Sequence, residues 1–288
     1  MDREYEADWE RSASGTCRTP CAALGLRDRT KGQFPFFDHF EIDLITALVE
    51  QLTAAFEGLE PGALNEENLA IVPAKQGVYH LFRNGVLVYV GKAASLKRRL
   101  KQHRFKLMGR NKIHIEEITF TRLTVHRNWT ALAPESSLIA HYKDQPGNFC
   151  EWNGNNFGIH DPGRERETTN KAPDGFDSQF PIRDEWPCVE VTAREWNIRE
   201  LLVQMKKELP FLLRFQVTNP QKYRAGHADY NNLTVLVDQA DKPVSELLRL
   251  ITQRLPGWQA TCFPSHLILY KEARDYTHGT VVWRHPPR

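Results

Sequence analysis

Two short runs of β-forming residues are separated by three residues that favour a tight turn. The runs extend from Gly77 to Phe82 and from Val86 to Val90, and Arg83-Asn84-Gly85 lies between them. Asn and Gly tolerate the positive φ angles that a two-residue hairpin turn requires. The pattern therefore predicts a β-hairpin, and the turn of a hairpin fixes the register between its two strands.

The residues around the hairpin predict an α+β domain with a small antiparallel sheet flanked by helices. Apolar residues at helical spacing predict helices over 41–56, 95–107 and 134–142, and alternation predicts a strand over 113–125 with a bulge or break. Residues 1–33 are polar and without periodicity, which predicts a loosely ordered arm before packing begins at Phe34. From Pro146 to Trp186 little regular pattern is present, and long loops of this kind are often functional. We expect the first domain to cover residues 34–187.

Beyond Pro187 the pattern changes and predicts a second α+β domain over residues 188–288 with a roughly ferredoxin-like plan. We expect it to be an accessory domain for dimerisation or DNA contact. Strands are expected over 189–192, 211–217, 233–237, 266–271 and 280–283, and helices over 195–209 and 244–255. A chain of 288 residues, of which 41% are hydrophobic, can supply two cores of this size.

The overall composition gives only a general expectation about location. The five cysteines are an odd and scattered set, which favours reduced thiols in a cytosolic protein. The chain opens without an apolar signal segment, and no run approaches the ~18 apolar residues of a membrane span. We expect a cytoplasmic protein without membrane contact. The formal net charge of +2 is too small to identify a partner, so the distribution of charge must do so.

The distribution of charge is strongly uneven just after the hairpin. The segment from Lys92 to Lys112 holds nine Lys and Arg residues and no Asp or Glu. A field of this kind suits a polyanion such as DNA, although basic runs are also common on solvated helix faces. The segment contains Lys97, Arg98, Lys101 and Arg104, which are the candidate DNA contacts.

These residues together resemble a known family, the GIY-YIG nucleases. The two halves of the name motif occur here as Gly77-Val78-Tyr79 and Tyr89-Val90-Gly91, and Lys92 follows directly. Arg99 follows Tyr89 by ten residues, His103 follows Arg99 by four, and Glu135 opens the next predicted helix. Several elements in order are a specific signal, whereas two tripeptides would be a weak one.

The resemblance implies a role for each residue in phosphodiester hydrolysis. Glu135 is implied as the single protein ligand of Mg²⁺ or Mn²⁺, and a lone carboxylate suits a cation that keeps most of its waters. Arg99, or its neighbour Arg98, is implied as the phosphate clamp.

The resemblance leaves the general base open between two residues. Tyr79 could serve if nearby cations such as Lys92 or the metal lower its pKa, and His103 is the competing base. Tyr89 would orient water or phosphate, and the amide of Asn153 would support the metal site or the scissile phosphate.

A narrower resemblance concerns the region after the predicted third helix. Trp152-Asn153 and the stretch from Asn156 to Arg166 are similar to the type II restriction endonucleases that cut CCGCGG palindromes. This implies double-stranded DNA as substrate, a homodimer, and a cognate DNA methyltransferase as functional partner. Arg164 or Arg166 would read guanine edges, while the alternative is a turn with a structural arginine.

Two other functions fit the same motifs. One is a structure-specific repair or homing-type nuclease, whose hairpin and basic helix would look alike. The other is a non-catalytic module that uses the basic helix only to bind nucleic acid, although it would not need Tyr79, His103 and Glu135 together.

Overall fold

An antiparallel hairpin lies at the centre of the first sheet, as predicted. The computed structural model describes residues 43–286 except 127–134, 146, 148–149, 159–160 and 162, so the predicted arm over 1–33 and the packing at Phe34 lie outside the described residues. Strand β2 (Gly77–Arg83) pairs with strand β3 (Val86–Ala93). The turn residues Asn84 and Gly85 have φ angles of 49° and 79°, in the region that a primed turn needs.

Two further strands complete this sheet. Strand β4 (Ile118–Thr124) pairs antiparallel with β2, and strand β1 (Gly62–Ala63) pairs with β4, which gives the order β1-β4-β2-β3. The strand predicted over 113–125 is confirmed with its break, because Ile115–Glu117 forms a 3₁₀ turn before β4 begins. The sequence gives no alternation for β1, which was not predicted.

Four helices accompany the sheet: α1 (Leu44–Glu57), α2 (Glu66–Ile71), α3 (Leu96–Met108) and α4 (Glu135–Lys143). The three predicted helices are confirmed with shifts of a few residues at their ends. Helix α2 was not predicted; it begins where the side chain of Asn65 accepts a hydrogen bond from the Asn68 amide at 2.8 Å.

The two faces of the sheet are buried against different helices. One apolar cluster joins Val78 and Val90 of the sheet to Phe56 of α1 and Leu138 of α4. The other joins Tyr79 and Tyr89 to Leu96, Leu100 and Leu107 of α3, together with Trp152 and Phe157. Because side chains alternate along a strand, neighbouring residues of β2 belong to different faces. We call these the α3 face and the α1/α4 face.

The region predicted as a long loop contains two short helices, α5 (Glu165–Thr168) and α6 (Gly175–Gln179). Its first part runs beside β3, where the Cys150 and Trp152 amides donate to the carbonyl oxygens of Leu87 and Val88, each at 2.9 Å. This extra pairing covers the exposed edge of β3.

The remaining part of the chain is α+β, as predicted, with its strands divided between two sheets. Its elements in order are β5 (Arg194–Asn197), α7 (Ile198–Glu208), β6 (Leu212–Phe215), β7 (Thr234–Val237), α8 (Val244–Gln253), β8 (Gln259–Cys262), β9 (His266–Tyr270) and β10 (Thr280–Arg284). One sheet has the order β10-β8-β9-β6, with β6 and β9 parallel, and β5 pairs with β7 in the other. The order begins as in a ferredoxin-like plan, but that plan places its strands in one sheet.

Two details of this region differ from the sequence-based expectation. The strand predicted over 189–192 is wrong: residues 189–190 form a turn, 191–192 have no regular structure, and the strand lies at Arg194–Asn197, where β7 supplies a partner. The helix predicted from Glu195 begins only at Ile198, because the Asn197 side chain accepts from the Arg199 amide at 3.0 Å and caps it. Strand β8 was not predicted.

The apolar clusters divide close to the predicted domain boundary. The clusters that contain the first sheet extend no further than Phe180, and the cluster of the C-terminal elements begins at Ile182. The boundary at 187/188 stays a prediction. Cys150, Cys188 and Cys262 carry free thiols. Within the described ranges, no helix combines the length and the apolar character that crossing a membrane would need.

Candidate active site

Two tyrosines of the hairpin point to the α3 face. In the register of β2 and β3, Tyr79 lies opposite Gly91 and Leu81 lies opposite Tyr89, so the two tyrosines are diagonal neighbours. Their ring centroids are 6.1 Å apart, and Tyr79 is fully buried. A β-carbon on Gly91 would lie 2.5 Å from the Tyr79 hydroxyl oxygen. Glycine is therefore required at position 91 because the Tyr79 hydroxyl lies directly against the backbone of β3.

The Tyr79 hydroxyl is hydrogen-bonded to a histidine of helix α3. Its oxygen lies 2.7 Å from the Nε2 atom of His103, which is itself buried. The imidazole stacks on the ring of Phe157, with centroids 4.8 Å apart and an interplanar angle of 15°. A phenol and an imidazole in direct contact can pass a proton between them.

Arg99 lies one turn before His103 on the same helix. Its guanidinium lies close enough to the hydroxyls of Tyr79 and Tyr89 for their interaction to raise the pKa of Arg99. A β-carbon on Gly158 would lie 3.4 Å from the Tyr89 hydroxyl and 3.8 Å from the Arg99 Nη2 atom, so Gly158 adjoins both side chains. The neighbouring Arg98 is exposed. Of the two arginines that the sequence left open, Arg99 is the one that contacts the tyrosines.

Burial determines the protonation of this group. Burial raises the pKa of Tyr79 well above its ordinary value, the nearby Tyr89 adds to the rise, and Arg99 opposes it. Burial lowers the pKa of Arg99, but its contacts with the two tyrosines outweigh this and raise that pKa overall. The expectation that Lys92 lowers the pKa of Tyr79 is wrong, because Lys92 faces the other side of the sheet. The Tyr79 hydroxyl is thus protonated and can relay a proton to His103.

Lys92 and Glu135 form a second contact, at the α1/α4 face. The Lys92 Nζ atom lies 3.6 Å from the Glu135 Oε2 atom, and the side chains are 51% and 29% exposed. Glu135 is the first residue of α4. Lys92 directly follows Gly91 on β3 but pairs with Val78, so the Lys92–Glu135 pair and the tyrosine group lie on opposite faces of the same strand.

Glu135 is the candidate metal ligand, and its surroundings test that assignment. Within the described ranges, no group of three or more His, Cys, Asp or Glu side chains is arranged to hold a metal ion. This excludes there a closed site of the structural-zinc type. A single accessible carboxylate with a solvent-exposed lysine as its partner fits a cation that keeps most of its waters, as Mg²⁺ does.

The amide of Asn153 is engaged by the backbone of β3. Its Oδ1 atom accepts from the Val90 amide at 2.9 Å, and its Nδ2 atom donates to the Val90 carbonyl oxygen at 2.8 Å. Val90 lies between Tyr89 and Gly91, so Asn153 fixes the strand that carries them. This geometry favours a positioning role for Asn153 over direct contact with metal or phosphate.

The basic run is divided among several environments. Lys97 donates to the Ala70 carbonyl oxygen at 2.8 Å, and Lys101 and Arg104 lie 3.9 Å and 2.8 Å from carboxylate oxygens of Glu66. Arg98 remains exposed. Charge that looks continuous in the sequence is therefore partly neutralised by α2.

Two members of the basic run point inward. Lys106 is buried and donates to the Phe157 carbonyl oxygen at 2.6 Å, and burial together with Arg110 lowers the pKa of Lys106 to about 7. Arg110 pairs with Asp177 at 2.9 Å, also in the interior. Both support the aromatic residues behind His103, and the sequence offered no sign that they are buried.

The two candidate base-reading arginines lie away from the tyrosine group, beside the C-terminal elements. Arg164 is exposed, with its guanidinium 5.6 Å from the ring centroid of Tyr270. Both Arg164 and Arg166 line a cavity of about 580 Å³ that His266 and His278 line from the other side. Residues 159, 160 and 162 of the similar stretch lie outside the described residues.

Comparison with known proteins identifies the region that contains this site. The family described as the GIY-YIG catalytic domain matches residues 75–148. No protein with curated function matches the chain. Among solved structures, the chain is similar to the GIY-YIG N-terminal endonuclease domain of UvrC from Thermotoga maritima bound to its catalytic divalent cation, magnesium. That likeness has 26% identity, covers 27% of this chain and 88% of the other, and has a TM-score of 0.21. A point mutant of the same domain matches at 27% identity, over 27% of this chain and 87% of the other, with a TM-score of 0.22.

The family match contains both halves of the tyrosine motif, the helix with Arg99 and His103, and Glu135. Asn153, Arg164 and Arg166 fall beyond it. Residues 75–148 therefore match a GIY-YIG nuclease domain, and the activity that such a domain implies is endonucleolytic cleavage of DNA.

Proposed function

We propose that this protein is a Mg²⁺-dependent type II restriction endonuclease that hydrolyses both strands of DNA at a short GC-rich palindrome. The observation that carries the hydrolytic part is the buried contact between the Tyr79 hydroxyl and the His103 Nε2 atom at 2.7 Å, with Arg99 beside it. A proton acceptor, a hydroxyl relay and a phosphate-binding cation are thereby held in one group.

The proton pathway uses the hydroxyl as a relay. As water attacks the phosphorus, the bond from phosphorus to the leaving oxygen breaks, and that oxygen takes a proton from solvent. The attacking water gives a proton to the Tyr79 oxygen, and the Tyr79 proton passes to the His103 Nε2 atom. The raised pKa of Tyr79 favours this relay over a preformed phenolate. His103 is then the base, and Tyr79 is the relay.

Arg99 and Tyr89 act on the phosphate. The planar guanidinium of Arg99 can donate to two phosphate oxygens and offset the charge that develops in the transition state. The Tyr89 hydroxyl lies beside it, and the glycine at position 158 leaves space next to both groups.

Glu135 would hold the cation, with Lys92 beside it. When bound, Mg²⁺ supplies Lewis-acid stabilisation of the phosphate oxygens. Because Lys92 and Glu135 are both solvent-accessible, a cation can reach the carboxylate without rearrangement of the core. Lys92 then remains as a mobile positive charge next to the scissile phosphate.

The restriction assignment is supported by the stretch after the nuclease domain, which resembles enzymes that cut CCGCGG. A palindrome has two-fold symmetry, so a homodimer would place one active site on each strand. Arg164 and Arg166 carry donors that suit the O6 and N7 atoms of guanine. A cognate DNA methyltransferase would protect the host's own sites.

A plasmid digest tests this proposal. Supercoiled DNA is incubated with the full chain and Mg²⁺, with an EDTA control, and the fragment ends are sequenced. The expected result is discrete linear fragments whose ends share one GC-rich palindrome. Nicked circles, or cutting only at junctions, would instead favour a structure-specific nuclease. Unchanged DNA with both Mg²⁺ and Mn²⁺ would favour a non-catalytic binding module.

A further inference from the structure

Arg214 of strand β6 reaches across to the segment that carries the candidate base-reading arginines. Its guanidinium contacts the carboxylates of Asp161 and Glu167, which flank that segment. The Arg214 Nη1 atom also donates to the Gly163 carbonyl oxygen at 3.3 Å. One side chain of the C-terminal elements thus holds the segment at three points.

The contact with Glu167 is almost completely buried. The side chains of Arg214 and Glu167 are 11% and 5% exposed, and their atoms Nη1 and Oε1 are 2.5 Å apart. The Tyr270 hydroxyl donates to the same Oε1 atom at 3.2 Å, and the His266 Nε2 atom lies 3.5 Å from it. Burial by itself would raise the pKa of Glu167, but His266 and Arg214 hold it below its ordinary range.

A buried ion pair such as Arg214 and Glu167 fixes the positions of its two side chains more than it increases the free energy of unfolding. Removing two charges from water costs about as much as their attraction returns, whereas removing one partner leaves the other buried and unpaired. Arg214 meets Glu167 through Nη1 and Asp161 through Nη2. Because the guanidinium is rigid and planar, these two donors allow only a narrow range of relative positions for the two carboxylates. Asp161 and Glu167 are therefore fixed relative to β6.

The held segment still faces open space. Arg164 and Arg166 line the cavity of about 580 Å³ between the segment and the turn after β8. Arg164 also lies over the ring of Tyr270, the residue that donates to Glu167. Arg214 and Tyr270 thus hold the segment through Glu167, and the cavity beside Arg164 and Arg166 leaves room for a ligand.

The same stretch of chain is anchored at its other end by the active site. Gly158 adjoins the Tyr89 hydroxyl and Arg99, and Phe157 stacks on His103. The chain from Phe157 to Glu167 thus connects the candidate catalytic residues to the C-terminal elements.

We infer that Arg214 is a positioning residue for sequence recognition: it sets the location of residues 163–167 so that Arg164 and Arg166 face DNA. The C-terminal elements then act as a scaffold for this segment. The inference rests on the proposed restriction activity. It assigns a purpose to the C-terminal elements, for which the sequence indicated only an accessory role.

The test compares Arg214→Gln with the wild-type chain in two measurements. The first is the ratio of kcat/KM on the cognate site to kcat/KM on sites that differ by one base pair. The second is backbone amide exchange of residues 163–167 in the absence of DNA. We expect the ratio to fall by about tenfold, within the range of one lost base contact, and exchange of these amides to accelerate.

Arg249→Gln is the matched control, because Arg249 makes an exposed pair with Glu246 in the same part of the chain. Asp161→Asn is the milder variant, since Asp161 is 63% exposed and its loss leaves Glu167 paired. The double variant Arg214→Gln, Asp161→Asn should discriminate no worse than Arg214→Gln alone.

Failure of the inference differs from failure of the proposed function. Random fragment ends from the wild-type chain would overturn the proposed function. A wild-type chain that cuts at one site, with unchanged discrimination and unchanged amide exchange in Arg214→Gln and Asp161→Asn, would overturn the role of Arg214 alone. Equal losses in Arg214→Gln and Arg249→Gln would overturn it too, because they would show a general effect of lost charge.

Discussion

His80 and His103 lie on opposite faces of the nuclease sheet, and their surroundings differ sharply. His80 follows Tyr79 on β2 and points to the α1/α4 face, where it stacks on Phe56 with centroids 3.7 Å apart. No described residue forms a hydrogen bond with the buried Nε2 atom of His80. His103, on the α3 face, is hydrogen-bonded through its Nε2 atom to the Tyr79 hydroxyl.

The difference shows how burial produces two kinds of histidine. Burial without a polar partner lowers the pKa of His80 to about 3, so this imidazole is a neutral packing group. His103 is buried equally well but lies within a polar group that contains Tyr79 and Arg99. The α1/α4 face packs around His80 and carries the Lys92–Glu135 pair at its edge, whereas the α3 face holds the groups that can move a proton.

The largest predicted effect concerns the carboxylate at the edge of the α1/α4 face. Glu135→Gln should lower the single-turnover cleavage rate by about 10³-fold or more, since an amide is a poor Mg²⁺ ligand and the metal supplies several kcal/mol. DNA affinity measured without cleavage should change little. Asp144→Asn, just beyond the other end of α4, removes an exposed carboxylate and is the control. Retained metal-dependent cleavage by Glu135→Gln would refute the ligand assignment.

The next effect separates two adjacent arginines. Arg99→Lys keeps the charge but removes the planar donors that contact the tyrosines, and should lower kcat by about 10²-fold. Arg98→Lys, at the exposed neighbouring position, should leave kcat nearly unchanged. Similar kcat values for the two variants would mean that the helix contributes only general positive charge.

The smallest effect is on stability and belongs to the packing face. The folded-state pKa of His80, about 3, is lower than the unfolded value of about 6.5, so below pH 6.5 the unfolded chain binds a proton that the folded chain does not. Stability is therefore lost as pH falls from about 6.5 towards 3, by about 2 kcal/mol between pH 6.5 and 5. His80→Phe should lessen this loss in denaturant unfolding measured at both pH values. An unchanged slope would show that His80 is not the group responsible.

The sequence predicted those parts of the site that depend on local order along the chain. Turn chemistry at Asn84 and Gly85 predicted the hairpin, and helical spacing placed Arg99 and His103 on one face of α3. Such features involve residues within a few positions of each other, so periodicity and turn preference are enough to reveal them.

The contacts that the sequence did not predict join distant segments. Asn153 bonds to Val90 across 63 residues, and Arg214 bonds to Glu167 across 47. A buried lysine such as Lys106 also looks like any other member of a basic run until Phe157 is seen to accept from it. The sequence shows which groups a charged or amide side chain can bind, but the residue that it does bind depends on tertiary packing.

The central claim is that the α3 face carries the proton transfer, and neighbouring residues of β2 test it most directly. Single-turnover cleavage is measured for Tyr79→Phe and His80→Phe at saturating Mg²⁺ and neutral pH. Tyr79→Phe should cleave about 10²- to 10⁴-fold more slowly than the wild-type chain, because the proton relay to His103 is lost, while His80→Phe should cleave at nearly the wild-type rate. Near wild-type cleavage by Tyr79→Phe, or an equal loss in both variants, would contradict the account.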